Sequence, residues 1–139
     1  MTTIYLAGPI NGCTDAEALD WREELTTLLR GHQVISPMAR DYRGKENENV
    51  EDIVEGDKAD IRKSQVVVAY CPRPSVGTSM EVLYARERGL QVAVLTPEGV
   101  SVSPWLRYHA DCVASDMGSV VEFIAAVSSA SQVGVRAVK

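Results

Sequence analysis

Residues 65–70 have the sequence Gln-Val-Val-Val-Ala-Tyr, and the residues at its centre, 66–69, are all apolar. A short strand without alternating polar residues is typical of a parallel sheet that helices cover on both faces. Amphipathic stretches lie on either side of this strand in the sequence, at about 50–63 and 78–88. This alternation of apolar strands with amphipathic helices predicts a doubly wound α/β fold.

The same alternation extends over the rest of the chain. Strands are expected at about 3–7, 33–36, 65–70, 91–95 and 111–114, and helices at about 15–30, 50–63, 78–88 and 119–129. We therefore expect one domain over residues 1–130, built on a single, mostly parallel five-stranded sheet with the flavodoxin-like (Rossmann-like) order 2-1-3-4-5. The weakly patterned tail, 131–139, is expected to be free to move.

In such sheets ligands bind beyond the carboxyl ends of the strands, at the point where the strand order reverses. With the order 2-1-3-4-5 this point lies between the first and third strands. The loops at 8–13 and 71–78 are therefore expected to build the functional site.

Composition and charge exclude several kinds of partner. The net charge of -5 and the pI of about 5.0 argue against binding to polymeric nucleic acid. The three cysteines are widely spaced, there are two histidines, and no Cys-x-x-Cys spacing occurs. We therefore expect no disulfides, no metal site and no cofactor. With no basic leader and no apolar run of roughly 20 residues, we expect no membrane partner and a cytoplasmic location.

One carboxylate lies on the apolar stripe of the helix at 50–63. Asp57 comes four residues after Ile53 and four before Ile61, so it is expected to face inward. Gly56 beside it is a poor helix former, which suggests that another group approaches closely there. An inward carboxylate serves proton transfer or caps a neighbouring loop, and the pattern favours neither. Asp60, on a different face, is expected to be a solvated surface charge.

A second carboxylate, Glu81, follows the strand at 65–70. Thr78 and Glu81 fit a capping box at the start of the next helix, which would be a purely structural role. A carboxylate in the first helical turn is also kept ionised by the positive helix end, as a glycosyl-transfer nucleophile requires. Ser75, Gly77 and Ser79 add hydroxyls and backbone amides suited to a sugar 5'-oxygen or a phosphate.

Tyr5 lies in the first strand, one residue out of step with Ile4 and Leu6. It is either a core tyrosine whose hydroxyl finds some partner, or a side chain directed at the carboxylate of Glu81. The loop at 8–12 that follows this strand is neither a Walker motif nor a dinucleotide fingerprint.

Together these segments resemble the nucleoside 2-deoxyribosyltransferase superfamily, which also includes the 2'-deoxynucleoside 5'-monophosphate N-hydrolases and related nucleotide N-glycosidases. The matching segments are residues 4–10, Asp57-x-x-x-Ile61 before the valine strand, and Ser75-x-Gly77-Thr78-x-Met80-Glu81 with Tyr84-Ala85 following. The resemblance implies a metal-free enzyme that cleaves the N-glycosidic bond of 2'-deoxynucleosides and transfers the sugar to a free nucleobase.

The resemblance also implies a role for each matching residue. Glu81 matches the nucleophile, Tyr5 the tyrosine that orients it, and Asp57 the acid that assists departure of the base. Gly8 would lie against the sugar or phosphate. One carboxylate as nucleophile and another as acid, around an oxocarbenium-like transition state, is the chemistry of a retaining glycosidase.

Two departures from the family pattern leave the substrate open. Ser75 stands where the transferases commonly have an Asp, which is more like the monophosphate hydrolases. However, Pro9 and Asn11 replace the serine and arginine that the hydrolases have after the first strand. Arg40 or Arg43 is the candidate for the missing cation.

Ser103 could match a hydrolase serine that a neighbouring subunit donates, so a homodimer or larger homo-oligomer is expected, with 105–109 as a candidate contact. The residues expected around the substrate are Gly8, Pro9, Asn11, Ser75, Gly77, Ser79, Arg40, Arg43 and Ser103. The alternatives to a transferase are a nucleoside 5'-monophosphate N-hydrolase that releases free base, and a non-catalytic nucleotide sensor. A sensor would have no need for Glu81 and Asp57 together.

Overall fold

Two central strands, β1 (Thr3–Ala7) and β3 (Val66–Tyr70), pair from Ile4 with Val66 to Ala7 with Ala69 in the computed structural model, which describes residues 1–132. The flanking strands are β2 (Gln33–Ile35), β4 (Gln91–Leu95) and β5 (Cys112–Ala114). All pairings are parallel and the order is β2-β1-β3-β4-β5. The predicted fold class and strand order are therefore confirmed.

Five α-helices connect or follow the strands. They are α1 (Asp15–Leu28), α2 (Val50–Arg62), α3 (Val76–Glu87), α4 (Pro104–His109) and α5 (Met117–Gln132), and short 3-10 turns lie at Pro37–Ala39 and Glu46–Glu48. Residues 131 and 132 end α5, and the rest of the predicted tail, 133–139, lies outside the described residues. The sequence did not predict α4, because a six-residue helix with one buried residue, Leu106, has no measurable periodicity.

The two faces of the sheet have separate hydrophobic cores. Alternate residues of β1 point to opposite faces, so Ile4 and Leu6 pack with Trp21 of α1, whereas Tyr5 and Ala7 pack on the side of α2 and α3. Tyr5 is completely buried. This alternation places its side chain on the face of the sheet that carries Asp57 and Glu81.

The apolar stripe of α2 is only partly in the core. Ile61 is buried, but Val50 and Val54 are 59% and 43% exposed. Ile53, Val54 and Ile61 line an open pocket beside the sheet. The stripe therefore borders a cavity along much of its length, which is why Asp57 on the same stripe is accessible to a ligand. Within the described residues, no helix is long and apolar enough to cross a membrane.

Candidate active site

A cavity of about 520 Å³ opens at the carboxyl ends of β1 and β3, between α2 and α3. This is the strand-order reversal at which ligands bind in open α/β sheets. Its lining combines an apolar wall with charged groups, and includes Gly8, Ile10, Asn11, Pro37, Arg40, Tyr42, Arg43, Glu46, Ile53, Val54, Asp57, Lys58, Ile61, Ser75, Gly77, Thr78, Met80, Glu81, Leu83, Tyr84 and Glu87. A volume of this size is within the range of small-molecule sites.

The Tyr5 hydroxyl donates a hydrogen bond of 2.5 Å to Oε2 of Glu81. Burial, together with the neighbouring Glu81 charge, raises the pKa of Tyr5 far above its ordinary value. The hydroxyl therefore keeps its proton and acts as a donor. It fixes one oxygen of the Glu81 carboxyl from the base of the pocket.

Glu81 does not cap α3, so the capping-box prediction was wrong. The helix begins two residues earlier than expected, at Val76, and its N-cap is Ser75, whose Oγ accepts from the backbone N–H of Thr78 at 3.4 Å. The hydroxyl of Thr78 also donates to Ser75 Oγ, at 2.9 Å. With Ser75 in the extended cap conformation, Glu81 falls in the second turn and its carboxyl is held by Tyr5 instead.

The expectation that the positive helix end keeps Glu81 ionised was also wrong. Burial raises the pKa of Glu81 from its ordinary 4.5 to about 7, and the nearby Asp57 charge adds to the rise. The hydrogen bond from Tyr5 and the charge of Arg22 oppose it. Desolvation exceeds the helix-end field because Glu81 lies beyond the first turn, where that field has fallen off.

Asp57 forms an ion pair with Arg40, which comes from the loop after β2. Arg40 Nη2 lies 3.1 Å from Asp57 Oδ1, and Arg40 Nη1 lies 2.8 Å from Asp60 Oδ2. Burial raises the pKa of the Asp57 carboxyl above its ordinary value, and the Arg40 charge opposes that rise. Asp57 is thus a half-buried acid with a fixed orientation.

Asp60 is 7% exposed, so its assignment as a solvated surface charge was wrong. Asp60 is buried because the guanidinium of Arg40 crosses α2 and pairs with both Asp57 and Asp60. Gly56 permits this approach, because a Cβ at that position would lie 3.0 Å from Nε of Arg40. The close approach suspected from Gly56 in the helix is therefore made by Arg40.

Both arginines proposed as phosphate ligands line the pocket, but carboxylates already engage them. Arg40 pairs with Asp57 and Asp60, and Arg43 pairs with Asp15 at 2.5 Å and with Asp41 at 2.7 Å. An incoming phosphate would have to compete with these carboxylates for either side chain.

The other residues expected around the substrate divide into two groups. Gly8, Asn11, Ser75 and Gly77 line the main pocket. Three others do not: Pro9 borders a smaller cavity of about 210 Å³, Ser79 donates its hydroxyl to the Ser75 carbonyl, and Ser103 caps α4 by accepting from Trp105 N–H. The hydroxyls of Ser79 and Ser103 are therefore engaged by local backbone groups.

Sequence reasoning missed Arg22. This side chain is 3% exposed, and it donates from Nη2 to the Gly8 carbonyl at 3.1 Å. A signal was present, because Arg22 lies four residues after Ala18 and three before Leu25, on the apolar stripe of α1. The same periodicity argument that singled out Asp57 applies to it.

The sequence as a whole matches one family. The model of the family Nucleoside 2-deoxyribosyltransferase matches residues 4–125, which contain every element from β1 into α5. No curated protein matches the chain in sequence.

Several solved structures have a similar fold. A 2-deoxyribosyltransferase from Bacillus psychrosaccharolyticus has a TM-score of 0.72 and 20% identity, over 86% of this chain and 90% of that chain. The CMP N-glycosidase of Clostridium botulinum has a TM-score of 0.60 and 16% identity, over 88% and 97% of the two chains. A conserved protein from Enterococcus faecalis has a TM-score of 0.68 and 17% identity, over 88% and 96%. At these identities the similarity establishes the fold.

Proposed function

Because the chain belongs to the nucleoside 2-deoxyribosyltransferase family of N-glycosidic-bond enzymes, we propose that it transfers the deoxyribosyl group of 2'-deoxynucleosides between nucleobases. The intermediate is a covalent deoxyribosyl ester of Glu81. The observation that supports this most directly is the hydrogen bond from Tyr5 to Glu81, within a pocket that Asp57 also lines. A fixed carboxylate beside a second carboxylate is the arrangement that retaining glycosyl transfer requires.

In the first step a Glu81 carboxylate oxygen bonds to the anomeric carbon as the bond from that carbon to the base nitrogen breaks. Asp57 donates a proton to the departing base, which leaves neutral. In the second step a nitrogen of the acceptor base attacks the anomeric carbon, Glu81 departs as a carboxylate, and Asp57 recovers a proton from the acceptor. Two displacements at one carbon return the original configuration.

The reactive form that these roles require has Glu81 ionised and a proton on Asp57. The Glu81 pKa of about 7 leaves a substantial fraction of the nucleophile ionised near neutral pH. The pKa of Asp57 is also raised, so its carboxyl holds a proton to higher pH than an exposed aspartate would. The negative charge of Asp57 adds to the rise in the pKa of Glu81, so the site disfavours the state in which both carboxyls are ionised.

A second candidate function is hydrolysis of deoxynucleoside 5'-monophosphates. It is favoured by Ser75 and Gly77, which line the pocket at the N-terminus of α3, where a phosphate would find backbone N–H groups and a hydroxyl. Arg40 and Arg43 would supply the cations once their carboxylate partners are displaced. If so, Arg43→Gln, which leaves the Arg40–Asp57 ion pair in place, should raise the KM for monophosphates and leave that for nucleosides unchanged. An equal effect on both substrates would refute the phosphate role.

Product analysis by chromatography tests the proposed function. The protein would be incubated with each deoxynucleoside and each deoxynucleoside monophosphate, with and without a second free base. Glu81→Ala would be compared with Glu87→Ala, which removes an exposed carboxylate farther along α3 at the pocket wall.

New nucleosides that require the acceptor base, and that are lost only in Glu81→Ala, would support a transferase. Free base from monophosphates alone would establish the hydrolase. Binding without turnover of any substrate would contradict both and leave a nucleotide sensor.

A further inference from the structure

We propose that the guanidinium of Arg40 is the platform on which the nucleobase of the substrate stacks. In this role the side chain binds a base through its planar face, and not a phosphate through its edge. The inference rests on the proposed function, because it requires that a nucleoside or nucleotide occupies the pocket. It assigns the base to the pocket wall that α2 and the loop after β2 form.

The nitrogens of Arg40 are already engaged or covered. Nη2 donates to Asp57 Oδ1 at 3.1 Å, and Nη1 donates to Asp60 Oδ2 at 2.8 Å. Nε is buried and has no hydrogen-bond partner within residues 1–132. A phosphate binds an arginine through two hydrogen bonds in the plane of the guanidinium, so it would have to displace at least one of these carboxylates.

One face of the guanidinium lies on α2. A Cβ built on Gly56 would be 3.0 Å from Nε, 3.0 Å from Nη2 and 3.1 Å from Cζ of Arg40. An atom in the plane of the group, beyond the two nitrogens, would be clearly closer to them than to Cζ. The nearly equal distances therefore place Gly56 against the face of the guanidinium, and a larger residue there would push the group away from the helix.

The opposite face is the part of the group that remains for a ligand. Arg40 lines the pocket and its side chain is 33% exposed, although its nitrogens are engaged and one face is covered. Among residues 1–132, no aromatic ring lies over this guanidinium. Pro37 and Ile53, from the same loop and the same helix, line the pocket too and add apolar surface. Bases stack on guanidinium planes of this kind.

The platform adjoins the proposed acid. Arg40 binds Oδ1 of Asp57, which leaves Oδ2 for the base. A base stacked on Arg40 therefore lies beside the carboxyl that protonates it on departure. A face contact does not read the donors and acceptors on the edge of a base, so the same platform binds the leaving base and the acceptor base, as base exchange requires. Purines should gain more than pyrimidines because their rings cover more of the guanidinium.

The test uses variants that separate the planar face from the charge. Arg40→Lys keeps a cation that can pair with Asp57 but has no planar face. Arg43→Lys makes the same change at the other arginine that lines the pocket and is the matched control. Gly56→Ala moves the guanidinium without changing its charge. All are made in the Glu81→Gln protein, so that intact deoxynucleosides bind without turnover.

The first measurement is the dissociation constant, by calorimetry, of the four common 2'-deoxynucleosides and of 2-deoxyribose 5-phosphate, which has a phosphate and no base. Arg40→Lys should weaken binding of the purine deoxynucleosides about 5- to 30-fold and leave that of the sugar phosphate unchanged. Gly56→Ala should weaken purine binding by a smaller factor. Arg43→Lys should not change the affinity for any deoxynucleoside.

The second measurement is the NMR resonance of the Arg40 Nε–H proton, assigned by its absence in Arg40→Lys. The ring current of a base stacked on the guanidinium should move this resonance upfield when 2'-deoxyadenosine is added. The sugar phosphate should leave it in place. A downfield shift with the sugar phosphate would indicate a contact in the plane of the group and would contradict the platform.

Unchanged purine affinity in Arg40→Lys, an equal loss in Arg43→Lys, or a loss confined to the sugar phosphate would overturn the inference. If thermal unfolding shows that Arg40→Lys does not fold, Gly56→Ala provides the same comparison. The proposed function fails separately. Base binding that depends on Arg40, in a protein that turns over no deoxynucleoside when Glu81 is intact, would support the platform and refute the transferase. Base exchange by a protein whose base affinity does not depend on Arg40 would do the reverse.

Discussion

Replacing Glu81 with glutamine should make the protein more stable while it abolishes turnover. The pKa of Glu81 in the folded protein is about 7, against an ordinary 4.5, because burial penalises the charged form. The folded state therefore binds this proton more tightly than the unfolded chain does. Glutamine is neutral at every pH and still offers an oxygen to the Tyr5 hydroxyl.

The sign and size of the effect follow from linkage. A carboxyl whose folded pKa is raised costs no stability below pH 4.5, costs progressively more as the pH rises to about 7, and costs a constant amount above that. The difference between 4.5 and about 7, at about 1.36 kcal/mol per pKa unit, gives about 3 kcal/mol. Glu81→Gln should regain most of this at pH 8.5 and less than about 1 kcal/mol at pH 5.

Urea unfolding of wild type and variant between pH 5 and 8.5, followed by circular dichroism, would measure the difference. Glu87→Gln is the control on the same helix and should change the free energy of unfolding little at any pH, because Glu87 is exposed. A variant that is no more stable than wild type at pH 8.5, or a difference that does not change with pH, would refute the claim that Glu81 is desolvated.

Two further substitutions test the packing of the site. Tyr5→Phe keeps the buried ring but removes the donor to Glu81, and should lower kcat about 10- to 100-fold with little change in KM in steady-state transfer assays. Unchanged kcat would refute the orienting role. Gly8→Ala should destabilise the fold by about 1–3 kcal/mol, because its Cβ would overlap Trp21, whereas Gly77→Ala meets no atom within 4 Å and should be nearly neutral by urea unfolding. Equal effects would contradict this account.

The fold could be predicted from the sequence because local patterns and topology agree. The valine strand at Val66–Tyr70 requires cover on both faces, and helical stretches at either side of it in the sequence supply that cover. The predictions that failed concern short, local features of the chain. The start of α3 was misplaced because Ser75 and Thr78 are both good N-caps, and only the backbone conformation decides between them.

The candidate site was less predictable, because its interactions join distant parts of the chain. The family resemblance, rather than periodicity, placed Tyr5 next to Glu81. The pairing of Arg40 with Asp57 and Asp60 depends on how the loop after β2 crosses Gly56, and no sequence pattern specifies that crossing. The sequence signal for the site was a charged residue on the apolar stripe of a helix, as at Asp57 and Arg22. That signal does not reveal which residue the charged side chain contacts.

The central position of β1 also shapes how the chain reaches this structure. Ile4 pairs with Val66, and Tyr5 meets Glu81 across 76 residues of sequence. Contacts of such long sequence separation form slowly, since a large loop must close before they contribute. During synthesis the first strand has no partner on the β3 side for most of the first half of translation, and its apolar side chains are available to chaperones or to aggregation. Turnover therefore reports complete folding. A nascent chain in which all three proposed catalytic residues have been synthesised still has no active site until β1 has paired with β3 and Tyr5 has met Glu81.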